Sequence, residues 1–251
     1  MLFSRYFVIL ILFASVQQIA SRIGRHKVYD DNHFDSLILS QNWPATACMK
    51  WKQKAPSNQC FVLRHQEWTI HGLWPIRNHR MGPAFCNKTQ HFNESALLSI
   101  QNRMEKKWTS IKKGTPHYFF WKHEWERHGT CASVLPELDS QLKYFKKALE
   151  LQREYDMNRV LVECNIFPGL EYEIQEILDC VNRILGHTAK VDCVVNPKTH
   201  ESCLSEMKIC FDRSLKLTDC NEILAYPTNC QRDKLVTYPD VIPLEYNVIL
   251  A

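Results

Sequence analysis

The stretch HEWERHGTC, residues 123–131, sets His123, Glu124, Arg127 and His128 within six positions. On a helix turning about 100° per residue, with His123 at zero, Arg127 falls near about 40°, Glu124 near about 100° and His128 near about 140°. The four polar groups therefore share one arc, Trp125 and Glu126 point away, and Gly129 reads as the C′ glycine that closes the helix. A zincin places its two histidines four residues apart, nearly stacked, around a metal. Here they are five apart and diverge, and Arg127 stands between them where it would repel a cation, so the expectation is no metal. Taken alone, the stretch also fits a solvated polar helix.

The rest of the chain narrows the choice. Its 251 residues suit one mid-sized domain with a full core, and 45% hydrophobic with 23% charged residues is the composition of an ordinary soluble protein. Arg5 precedes the apolar run YFVILILFASV, which gives way to QQIASR. This is the pattern of a secretory signal peptide, read as residues 1–21 with the cut near Ala20 or Ser21, too short to span a bilayer comfortably. The remainder, 22–251, is then one domain that enters the secretory pathway, bound for the outside of the cell or for a lysosome or vacuole. Eleven cysteines behind such a leader imply an oxidising compartment and disulfides. Two sequons, at Asn87 and Asn93, point to a glycosylated surface loop. The net charge of +4 permits a polyanionic substrate without demanding one.

FDSLILSQNWP and FVLRHQEWTIHGLWP both read as strands ending in Trp-Pro, with Pro75 marking a strand end or a sheet edge. ESALLSIQNRMEKKWTSI carries helical spacing, with Asn93 or Ser95 as its N-cap. LDSQLKYFKKALELQREYDMNRVLVEC is helical with a break near Tyr155–Asn158, and EYEIQEILDCVNRILG is a helix with its own terminal glycine. AKVDCVV and MKICFD read as short strands. The fold class is α+β: one disulfide-stabilised domain in which several helices pack on a central antiparallel sheet.

WTIHGLWP, residues 68–75, adds His71 at a strand end. By itself such a histidine is more often structural. Together, however, WTIHGLWP, FFWKHEWERHGTC and an upstream NWP beside a cysteine resemble the ribonuclease T2 family in order and separation. The resemblance covers nearly the whole mature chain, the C-terminal third mainly through cysteine spacing. It implies a secreted, metal-independent endoribonuclease with single-stranded RNA as its partner and no cofactor. DNA, lacking the 2′-hydroxyl, is excluded as a substrate. By resemblance, His71 is the general acid, His128 the general base and Glu124 a catalytic carboxylate, with His123 and Arg127 on the phosphate. Trp74 and Phe120 match positions that contact bases.

The chain departs from the family at two places. Arg127 stands where lysine is usual, keeping the charge and adding a planar fork. Ile76 follows HGLWP where many relatives carry Asp or Asn, so base choice by hydrogen bonding is lost and a broad preference is expected. The competing function is a secreted glycoprotein that acts by binding a cell surface or partner, with catalysis vestigial. Family spacing further implies the disulfides Cys48–Cys60, Cys86–Cys131, Cys193–Cys230 and Cys210–Cys220. Cys164, Cys180 and Cys203 are left over: two can pair, and the third is a buried thiol in a monomer or a bridge to a second chain.

Overall fold

The structure, a computed structural model, describes residues 33–55, 57–61, 66–80 and 82–240. The expected signal peptide lies outside these residues. Seven strands form one sheet: β1 (Ser36–Asn42), β2 (Thr69–Ile76), β3 (Leu170–Tyr172), β4 (Lys190–Val195), β5 (Ser202–Asp212), β6 (Leu217–Thr218) and β7 (Val236–Tyr238). The order runs β2-β1-β5-β7-β3, with β4 and β6 also pairing β5. Pro75 lies on the edge strand β2, where a residue without an N–H is tolerated. The expected antiparallel sheet is in fact mixed, because β5 and β7 run parallel. That exception comes from β7, a three-residue strand too short to show in the sequence pattern.

The helices are α1 (Pro44–Lys54), α2 (Gln101–Lys107), α3 (His117–Glu124), α4 (Gln141–Glu154), α5 (Met157–Val162) and α6 (Ile174–Leu185). Pro44 starts α1 rather than only stopping β1, since the first helical turn has no use for its missing N–H. Of the two caps expected for the segment after β2, Asn93 is the one used, its side chain accepting from the Ser95 N–H at 3.1 Å. The segment it caps begins as a 3-10 turn over Glu94–Ile100 before becoming α2. The break expected near Tyr155 separates α4 from α5, whose Asp156 cap accepts from the Asn158 N–H. Gly186 ends α6 with φ +69°, a left-handed conformation that favours glycine.

Between sheet and helices lies a core rich in aromatic side chains. Trp43, Trp68, Trp108, Tyr144 and Phe145 are fully buried. Their polar atoms are satisfied: Trp43 Nε1 donates to the Pro239 carbonyl at 2.6 Å and Trp68 Nε1 to the Tyr238 hydroxyl at 2.8 Å. Five disulfides close the chain on itself: Cys48–Cys60, Cys86–Cys131, Cys193–Cys230, Cys210–Cys220 and Cys164–Cys180. Cys203 stays outside them and is only 2% exposed, which disfavours a bridge to a second chain. Among the described residues no helix is long and apolar enough to cross a membrane.

Candidate active site

The site begins with a register fault in the sheet. Ser40 pairs with Gly72 and Gln41 with Ile70, so His71 is the extra residue of a β-bulge on the edge strand. Such an insertion bends the strand and re-aims the side chain it adds. The Trp108 Nε1 donates to the His71 carbonyl at 3.1 Å and the Tyr144 hydroxyl to the Leu73 carbonyl at 2.8 Å, fixing this backbone from the core side. Gly72 leaves space for its neighbours: a Cβ there would lie 2.0 Å from Trp74 Nε1 and 2.2 Å from Glu124 Oε2. Those two atoms form a 2.8 Å hydrogen bond, with the indole donating. Glycine is thus required so that the strand and α3 can meet.

The facing wall is α3 and its continuation, and here the regular-helix expectation needs correcting. Trp125–Gly129 forms a π-helical turn, with the Thr130 N–H donating to the Trp125 carbonyl, and helix continues over Thr130–Ala132. A π-turn inserts one residue relative to α geometry. The extra residue carries His128 back from the roughly 140° that a regular wheel gives it, and Arg127, His123 and His71 all lie near enough to act on its charge. Gly129 does not end the helix either, for its φ is −61°. Its role is steric, because a Cβ would lie 2.3 Å from the Trp125 ring. That ring is buried, with its Nε1 donating to the Gln90 carbonyl.

The walls meet through aromatic contacts. The Trp74 ring lies 4.9 Å from the His71 ring and 5.6 Å from the His128 ring, and Phe120 lies 6.0 Å from His71. Trp74 therefore sits between the two imidazoles and is held by Glu124, whereas Phe120 lines the open cleft. The Arg127 guanidinium lies over the Phe85 ring at 5.6 Å, and the Phe85 N–H donates to the Arg127 carbonyl at 2.9 Å. Phe85 precedes Cys86, so the Cys86–Cys131 bridge clasps the loop after β2 onto the π-turn.

Electrostatics separate the groups. Burial pushes the His71 imidazolium down, but its hydrogen bond to Glu206 and the charges of Glu206 and Glu124 outweigh this and raise its pKa above the ordinary value. His128 is driven the other way, to about 3, by burial and by the positive charges of Arg127, His123 and His71. Its Nδ1 is buried with no hydrogen-bond partner among the described residues, so a proton there would have no acceptor. His123 is lowered by burial and by Arg127. Glu124, 2% exposed, is raised to about 7 by burial, against the pull of His71 and the Trp74 hydrogen bond.

Glu206 was not among the residues singled out in the sequence. It pairs with His71 Nδ1 on one side and with Lys208 Nζ at 2.9 Å on the other. Lys208 also pairs with Asp192, which sits opposite Glu206 in the β4–β5 register. Burial opposes its charge, yet His71 and Lys208 hold the Glu206 carboxyl far below the usual range. The available signal was the alternation Lys190-x-Asp192 and Glu206-x-Lys208, which puts four charges on one sheet face. Only strand pairing shows that this row ends at His71.

A cleft of about 490 Å³ runs from His71, His123, Glu124 and Glu206 past Phe120 towards α1. Trp74, Arg127 and His128 do not line it, and the Trp74 ring lies against the rings of both His71 and His128. Of the sequon asparagines, Asn87 accepts from the Thr89 N–H and hydroxyl, and Asn93 is exposed.

The Ribonuclease T2 family model matches residues 34–220. The chain belongs to the ribonuclease T2 family. It is 34% identical to Ribonuclease Oy of Magallana gigas over 217 residues, which cover 84% of this chain and 98% of that protein. The crystal structure of human RNase T2 superposes with a TM-score of 0.68 at 30% identity, covering 82% of this chain and 99% of the human one. RNase NT, solved in complex with 5′-AMP, gives 0.71 at 25% identity, covering 82% and 98%. Like its T2 relatives, this protein is an endoribonuclease.

Proposed function

We propose that this protein is a secreted, metal-independent endoribonuclease that cleaves single-stranded RNA through a 2′,3′-cyclic phosphate to 3′-phosphate ends. The observation that carries this reading is the pair of imidazoles flanking the Trp74 ring at 4.9 and 5.6 Å, whose surroundings favour opposite charge states: His71 raised, His128 lowered to about 3. Between those limits His128 is neutral and can accept a proton while His71 is charged and can donate one. His128 takes the 2′-OH proton, the 2′-oxygen bonds to phosphorus, the P–O5′ bond breaks, and His71 protonates the departing 5′-oxygen. Water then opens the cyclic ester to a 3′-phosphate. Arg127 and His123 stabilise the charge that develops on the phosphoryl oxygens, and Glu124 holds the Trp74 indole between the two imidazoles.

Ile76 packs against the Ile38–Cys210–Cys220–Ile223 cluster and offers no hydrogen bond to a base. Base contact then falls to Trp74 and Phe120, whose stacking surfaces accept any base, so preference is broad. Five disulfides fit an oxidising destination, and glycans on Asn87 and Asn93 fit the same route.

The test is cleavage of a short RNA and its DNA counterpart from pH 2.5 to pH 8 with chelator present. Because a base works above its pKa and an acid below, kcat/KM on RNA should rise near pH 3 and fall only above the ordinary histidine value. DNA should stay intact. Inhibition by chelator or cleavage of DNA would overturn the reading.

Glu206 acts through His71 as a positioning residue. Glu206→Gln removes the charge that favours the imidazolium, so the alkaline limb of the kcat/KM profile should move to lower pH. The rate at pH 7 should fall about tenfold or more, as for loss of a hydrogen bond to a charged group. Loss of rate with an unmoved limb would assign Glu206 a merely structural part.

A further inference from the structure

The cleft is longer than one reacting phosphate needs. On α1, Ala47, Lys50, Trp51 and Lys54 line it at i, i+3, i+4 and i+7, a single helical stripe about 10 Å long. Opposite stand Thr109, Ser110, Ile111 and Lys112. Lys112 Nζ lies 4.5 Å from the centre of the Trp51 ring and Lys54 Nζ lies 6.0 Å from it. The two walls are tied together. Cys60 is bonded to Cys48 on α1, pairs by a backbone bridge with Lys112, and is flanked by the Phe61 N–H to Ile111 carbonyl bond.

Resting on the reading of the site as RNA-cleaving with His71 on the leaving side, we propose that Trp51, Lys50, Lys54 and Lys112 form a further subsite. It takes the phosphate and base that lie 3′ of the leaving nucleoside in a single-stranded RNA.

The side follows from the cleft's lining. It contains His71, which protonates the leaving 5′-oxygen, and lacks His128, which faces the attacking 2′-hydroxyl. Chain continuing from the leaving nucleoside therefore enters this cleft. The chemistry matches a nucleotide backbone with its bases. Lys50, Lys54 and Lys112 form no ion pair among the described residues. Burial and the charge of Lys54 lower the pKa of Lys112, so like charges crowd here with no counter-ion among the described residues. A phosphodiester supplies that counter-ion, and the half-buried Trp51 ring supplies a stacking face of the kind that single-strand binders pair with basic grooves. The Cys48–Cys60 tie gives the gap a fixed width, so little order has to be gained on binding.

The test uses deoxyoligonucleotides with one ribonucleotide, so that a single bond is cleavable. They are a dimer, a tetramer extended by two nucleotides on the 3′ side, and a tetramer extended by two on the 5′ side. For the unmodified protein, kcat/KM on the 3′-extended substrate should exceed that on the dimer by about tenfold or more, and 5′ extension should add less. In Lys50→Gln/Lys54→Gln the 3′ advantage should shrink while the dimer rate stays unchanged. The slope of log kcat/KM against log salt should also become shallower by about 0.7 for each phosphate that no longer meets a lysine. Trp51→Leu should reduce the same advantage without changing the salt slope. Equal rates on dimer and 3′-extended tetramer, or a double variant that slows the dimer and tetramer alike, would overturn the subsite while leaving the ribonuclease reading intact. Failure of the unmodified protein to cleave any of the three would overturn that reading, and the subsite with it.

Discussion

His71→Phe is expected to lower kcat/KM on RNA by about 10²–10⁴-fold, the usual contribution of a positioned acid or base. The fold should survive. His71 sits on the edge strand with its side chain 38% exposed, and the core-side bonds to this segment are made by backbone carbonyls that phenylalanine retains. Glu206 would keep Lys208 as a partner, so no buried charge is orphaned. The loss should fall on kcat rather than on KM alone, because the proton is given up only as the P–O5′ bond breaks. His128→Ala should cost a similar factor, and the double variant little more than either single one, since the two act on one step. Steady-state kinetics beside a thermal melt decide the matter. A folded His71→Phe protein that retained a tenth of the rate would remove His71 from the chemistry.

The second large effect concerns stability. Cys86–Cys131 closes the longest sequence separation of the five bridges, 45 residues, against 10 for Cys210–Cys220. Loop-closure entropy assigns it about 4 kcal/mol and the short bridge about 3 kcal/mol. Cys86→Ser/Cys131→Ser should therefore lower the denaturation midpoint more than Cys210→Ser/Cys220→Ser. Only the first should lower activity under conditions where both proteins remain folded. The reason is local: the long bridge keeps the Phe85 N–H on the Arg127 carbonyl and so braces the π-turn that carries Arg127 and His128. Equal midpoints and equal activity in the two pairs would show that the clasp matters no more than any other loop closure.

The sequence by itself determined a good deal. Amphipathic spacing located α4, its break before α5, and α6 with its closing glycine. Alternation located β1, β2 and the core of β5. WTIHGLWP with HEWERHGTC carried the family, because two short motifs rich in histidine and tryptophan rarely occur together in that order by accident. These are properties of neighbouring residues, and a period or a motif records them directly.

Tertiary structure decided the rest. A regular helical wheel held His123 and His128 apart and made Gly129 a stop signal, since nothing in the letters announces an i→i+5 turn. That turn lies between Trp125, which packs into the core, and Cys131, which is bonded to Cys86 from a distant loop. The direction of β7 and the pairing of Cys164 with Cys180 depend on which segments meet across the sheet and between α5 and α6. The same holds for Glu206 and for Trp51 facing Lys112. A residue 135 positions from His71 becomes its partner only because β5 and β2 flank β1. Local pattern fixes what each segment can become; the charges and rings that face one another across a gap are chosen by how the segments pack.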